Sequence, residues 1–173
     1  HTRYRKTVSS VFTPRAVAAL RVRVEEMAAA LLDDLAGRSG VVDIVDAYCS
    51  QLPVAIISDV LGVPAEDRME VFRWSNAIGT LGIEDPDYAP TPEALGQAAA
   101  EMFSYCNELV RRRRENGLTD DILSALLAAE VDGEKLNRDQ LNEFFLLLAI
   151  AGNETTRNTL SHGILALSQH PDQ

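Results

Sequence analysis

The last part of the chain sets the tightest limit on its fold. From Asn137 to Gln169 the sequence holds a helical pattern with no proline, and Asn137 followed three residues later by Gln140 makes a capping-box start. A helix of about 33 residues extends about 50 Å at ~1.5 Å per residue, the width of a small domain. Other elements must pack around such a rod, so its middle is expected to be buried. Yet there the leucines give way to AGNETT (151–156), with an amide, a carboxylate and two hydroxyls. Buried polar groups need partners or a use.

Helix signals fill most of the remaining chain. Thr13 as N-cap, Pro14 at the first position, and Val17, Leu20, Val24, Met27, Leu31 and Leu35 at spacings of three and four predict an amphipathic helix that stops at Gly37. Segments 46–64 and 65–79 predict two more, with Pro53 either kinking the first or marking its start. The stretch TLGIEDPDYAPTP (80–92) is read as a loop, after which helix resumes from Pro92 to Glu115 and stops at Gly117. A helix over 119–131 capped by Thr119 follows, and DGEK then turns the chain. The β-branched VVDIV (41–45) suits a short strand or extended entry. The expected fold is mainly α, a helical bundle around a very long central helix, with at most a short strand near 41–45. Because the chain opens at His1 without an initiator methionine and ends just past a helix, residues 1–173 are read as a single partial domain.

Composition excludes several functions. A net charge of -10 disfavours a general nucleic-acid binder. Cys49 and Cys106 stand far apart in no metal-ligand spacing, so neither a zinc site nor a disulfide framework is expected, and a reducing cytoplasm is the expected compartment. No uninterrupted apolar run reaches the ~18 residues of a membrane span. The charge run RRRRE (111–115) reads as a solvated last turn whose cations suit a helix C-terminus.

In the long helix, Leu148, Ala151, Gly152, Thr155, Thr159 and His162 fall on one face, with Glu154 beside it. Ala151 and Gly152 leave a dent, Thr155 can bond back to the Ala151 carbonyl, and Glu154 in such surroundings has a pKa open to tuning. Together they suit a proton-handling groove. Small residues at a close helix crossing explain the same letters, and spacing alone leaves both readings open. Two rival functions follow from other residues. A magnesium-dependent isoprenoid synthase would use DDIL (120–123) and NE (153–154), although that chemistry wants more acidic ligands. A helical ligand-binding or regulatory domain would use AGNETT only for packing, but no basic helix-turn-helix accompanies it.

AGNETT within a long helix resembles the oxygen-activating motif of the cytochrome P450 monooxygenases, [AG]-G-x-[DE]-T-[TS]. The opening HTRYR resembles the H-x-x-x-R of an earlier P450 helix, and FTPR, LPVAIISDVLGVP and LALSQHPDQ resemble phrases of bacterial P450s in the same order. AGNETTRN and the trailing SHG are most similar to P450s that hydroxylate steroids, branched lipids and terpenoids.

The resemblance implies a haem cofactor whose propionates meet His1 and Arg5, and whose face meets Ala151, Gly152 and Thr156. It implies Glu154 and Thr155 as catalytic residues, Thr155 hydrogen-bonding dioxygen or a water and Glu154 relaying protons. The axial cysteine and the family's E-x-x-R helix would lie outside this chain, so the fragment alone is expected to be inactive, with Cys49 and Cys106 as small buried hydrophobes. Electrons derived from NAD(P)H would arrive through a ferredoxin-type partner at a basic face including Arg3, Lys6 and Arg15, and the protein is expected to be a monomer. Residues 66–115 would form lid helices over a hydrophobic substrate, with Phe72, Trp74, Ile78, Leu81, Phe103 and Leu148 as candidate contacts.

Overall fold

The structure, a computed structural model, describes residues 14–79, 91–131 and 133–173. Helix α1 (Pro14–Ala36) begins at the proline and ends beside Gly37, as the pattern predicts. Thr13, its expected cap, lies outside the described residues. A turn of π-helix (Val45–Cys49) then runs through Ser50 into α2 (Gln51–Leu61). Pro53 thus sits in the first turn of α2, where a missing N–H costs little. Gly62 closes α2 with φ 72°, and a 3-10 turn (Ala65–Asp67) leads into α3 (Arg68–Gly79). Asp59 ties these elements together, accepting from Arg23 of α1 at 2.8 Å and from Arg68 of α3.

Helix α4 (Pro92–Asn116) starts under Thr91, whose side chain accepts from the Ala94 N–H, and ends at Gly117 with φ 97°. Helix α5 (Ile122–Ala128) starts later than predicted. Its cap is Asp121, which accepts from the Ser124 N–H at 2.8 Å, and not Thr119. Two short strands, β1 (Glu130–Val131) and β2 (Glu134–Lys135), pair antiparallel around Gly133. These are the strands among the described residues; none forms at 41–45, where the chain turns into helix at Ile44. Helix α6 (Arg138–Gln169) has 32 residues and the full capping box of Asn137 and Gln140.

The core lies where α6 meets α2, α3, α4 and α5. Leu61, Met102, Leu109, Leu123, Leu126, Leu141 and Phe145 are its fully buried side chains, joined by Cys106. Both cysteines are buried and free, as expected. Trp74, read from the sequence as a candidate substrate contact, belongs to this core. Its indole N–H donates to Glu101 Oε2 at 2.6 Å and its ring meets Tyr105 at 5.6 Å between centroids. Arg113 corrects the reading of RRRRE as fully solvated. Its guanidinium is buried, donating to Asp121 Oδ2 and the Gly62 carbonyl at 2.8 Å each and to Ser124 Oγ at 3.2 Å. Burial pushes the Asp121 carboxyl up, but bonds from Arg113, Thr119 and the Ser124 N–H outweigh it and hold the group below its ordinary value.

Candidate functional site

Among the described residues, the middle of α6 is covered on one side only. Asn142, Phe145, Ala149 and Asn153 point into the core, whereas Leu147, Ala151, Thr155, Thr159 and His162 form an exposed stripe. The expectation that this middle is wholly buried therefore fails among the described residues. Leu147 stands 60% exposed one turn before Ala151, so the stripe is apolar at its start and carries hydroxyls beyond.

In and just beyond this middle, three hydroxyls fold back on their own helix. Thr155 Oγ1 donates to the Ala151 carbonyl at 2.6 Å, Thr159 Oγ1 to the Thr155 carbonyl at 2.8 Å, and Ser161 Oγ to the Arg157 carbonyl at 2.8 Å. The first is the back-bond that the sequence suggests. Helix continues unbroken through it. With its proton committed to Ala151, the Thr155 oxygen keeps lone pairs that can accept from a molecule on the open side.

Glu154 sits about 100° around the helix from Thr155 and faces α3. Its Oε2 accepts from Arg157 Nη2 at 2.5 Å, and Arg157 Nη1 donates onward to Asn76 Oδ1 at 2.7 Å. The two charged side chains are 17% and 19% exposed, and Glu154 Oε1 is buried with no hydrogen-bond partner. Gly79, the last residue of α3, makes room here, since a Cβ on it would lie 3.0 Å from Glu154 Cγ. The carboxylate is thus held on the α3 side by an ion pair that sequence reasoning did not foresee. The Glu-x-x-Arg spacing was visible; Asn76, 81 residues before Arg157, carried no signal.

Gly152 does not share the open face either. A Cβ on it would lie 2.7 Å from Ile57 Cδ1 on α2, so the dent expected beside Ala151 is filled there by a side chain. Thr156 is exposed. His1, Arg5, Arg3, Lys6 and Leu81 lie outside the described residues, as does the Arg15 side chain. Ile78 and Leu148 pack half-buried against the core, and Phe72 and Phe103 are half-buried outside it. The rival carboxylate cluster finds no support, because Asp121 is committed to Arg113 and the α5 cap. No group of three His, Cys, Asp or Glu side chains among the described residues is placed to hold a metal. No described helix is long and apolar enough to cross a membrane.

The family model described as Cytochrome P450 matches residues 1–173. A steroid C26-monooxygenase of Mycolicibacterium smegmatis is 42% identical over 173 residues, which are 100% of this chain and 39% of the relative. A methyl-branched lipid omega-hydroxylase of Mycobacterium tuberculosis is 41% identical over 175 residues, covering 100% of this chain and 40% of the relative. The chain therefore spans about two fifths of the curated relatives it matches. A solved Mycobacterium marinum cytochrome P450 in complex with pseudoionone superposes with a TM-score of 0.90 at 37% identity, covering 100% of this chain and 42% of that one.

Proposed function

The chain belongs to the cytochrome P450 family of monooxygenases, and on that premise we propose that the protein it is part of hydroxylates a hydrophobic small molecule of the steroid, branched-lipid or terpenoid kind. The observation that carries the reading is the open stripe of α6, where small Ala151 is flanked by Leu147 and by a threonine hydroxyl bonded to the Ala151 carbonyl. A flat, largely apolar group fits against Leu147, Ala151 and Thr155, and none of these three offers the imidazole, thiolate, thioether or phenolate that holds haem iron. Haem bound there would supply activation of dioxygen, with electrons from NAD(P)H delivered by a ferredoxin-type partner.

This chain's own residues then divide the work. Leu147 and Ala151 exclude water from one side of the reacting region. Thr155 accepts a hydrogen bond from water on the open side, and by turning its hydroxyl away from Ala151 it donates one. Glu154 supplies protons from the α3 side, which requires its carboxyl to leave Arg157. His1 and Arg5 hold the propionates, and Phe72, Ile78, Phe103 and Leu148 border the substrate. Identity of 41–42% with a steroid and a methyl-branched lipid hydroxylase supports this substrate class.

The test is Thr155→Ala in the complete protein with its electron donors. The fraction of NAD(P)H consumed that ends as free peroxide should rise severalfold, while substrate binding changes little. Coupling equal to that of the unsubstituted protein would remove the role given to Thr155.

A further inference from the structure

Gly152 lies inside a long helix, where glycine is a poor choice, and its backbone is ordinary helix with no need for glycine's freedom. Its missing side chain has one visible cause. A Cβ there would meet Ile57 Cδ1 at 2.7 Å, Cγ1 at 2.8 Å and Cβ at 3.3 Å, all on α2. Ile57 packs partly buried against the core, and a β-branched residue has few rotamers with which to retreat. Ile57 and Gly152 therefore form a knob and a notch that set how closely α2 and α6 approach.

We propose that Ile57 is a positioning residue: wedged against Gly152, it fixes the peptide plane that carries the Ala151 carbonyl, and through it the direction of the Thr155 hydroxyl. That carbonyl belongs to the peptide joining Ala151 to Gly152, and it is the atom to which Thr155 Oγ1 donates at 2.6 Å. Any shift of Gly152 away from α2 tilts this acceptor and turns the hydroxyl with it. The glycine of AGNETT answers to Ile57 behind the helix, not to whatever lies on the open face. This rests on the role given to Thr155 above for its catalytic consequence, though not for the packing itself.

The experiment compares Gly152→Ala, Ile57→Ala, Ile57→Val and the two double variants in the complete haem-loaded protein. It reads the thermal unfolding midpoint and the peroxide released per NAD(P)H. Gly152→Ala should lower the midpoint and raise peroxide severalfold. Adding Ile57→Ala leaves only the 3.3 Å neighbour, and should bring both readings back to those of Ile57→Ala alone. Adding Ile57→Val keeps an atom 2.8 Å from the new Cβ and should restore less. The inference is overturned if Gly152→Ala matches the unsubstituted protein, if Ile57→Ala fails to rescue it, or if Ile57→Val rescues better. Recovery of the midpoint without recovery of coupling would leave Ile57 as packing only and overturn the positioning role. A Thr155→Ala protein that stays fully coupled sinks the Thr155 reading instead, whatever the rescue of the midpoint shows.

Discussion

Arg113 and Asp121 show how much one buried pair can decide. Their side chains are 8% and 5% exposed, so solvent screens them little, and they join the ends of α2, α4 and α5 through Gly62, Leu109 and Ser124. A side chain on Gly62 would collide with both partners, which adds to the demand of its positive φ. Asp121→Asn leaves the Arg113 charge buried without its counter-ion and should cost about 3–5 kcal/mol at pH 7. The sign of the pH effect follows from the depressed folded value. An unfolded Asp titrates near ~3.9, so the stabilisation is complete above that value and is lost as pH falls through the lower folded value. Urea midpoints of the two proteins should therefore differ widely at pH 7 and converge in strong acid. A constant gap at all pH values would assign the loss to packing. Nothing in RRRRE marked Arg113 for this role, because a charge run hides which member a neighbouring element will cover.

Among the elements, α6 was the most legible, since its ends are encoded by local chemistry: Asn137 and Gln140 exchange side-chain bonds with each other's N–H. Gly37, Gly62 and Gly117 likewise marked helix ends correctly. The start of α5 was misjudged because Thr119 and Asp121 both qualify as caps, and the choice depends on Arg113, six and eight residues earlier. Contacts between helices left no local trace, and the Glu154–Arg157–Asn76 line is the case that matters for the site. Asn76→Leu deprives Arg157 Nη1 of an acceptor while keeping the branched shape of the side chain, and should cost about 1 kcal/mol. Arg157→Met should cost more, about 2–3 kcal/mol, because it leaves Glu154 mostly buried with neither oxygen bonded. Combining Arg157→Met with Glu154→Gln should recover part of that loss. Chemical unfolding of the set measures the coupling, and additive losses would show that the ion pair contributes nothing of its own.

At the scale of the whole molecule, the described residues cover one side of α6 and leave Leu147, within its leucine-rich stretch, open. Leu147, one turn before Ala151, remains 60% exposed, and Leu165 and Leu167 near the end of the helix 54% and 59%. The buried middle was expected from the length of the rod, around which other elements must pack. The open side also limits where an iron ligand can come from. A thiolate ligand must be ionised and must reach the bound group. Cys106 has no exposed surface, its Sγ lies 4.0 Å from the Leu141 carbonyl, and burial pushes its thiol up to about 12. Cys49 is likewise fully buried. On the proposed haem chemistry, the thiolate is expected from another part of the protein. In the complete protein, Cys49→Ala with Cys106→Ala should keep a full complement of haem and the unaltered spectrum of the ferrous carbon monoxide complex. Reading the coding sequence past Gln173 should show E-x-x-R and then F-x-x-G-x-x-x-C-x-G. Loss of the thiolate spectrum in the double variant would instead make one of the two buried cysteines the ligand, which requires a core opened far beyond the packing around Leu141 and Phe145.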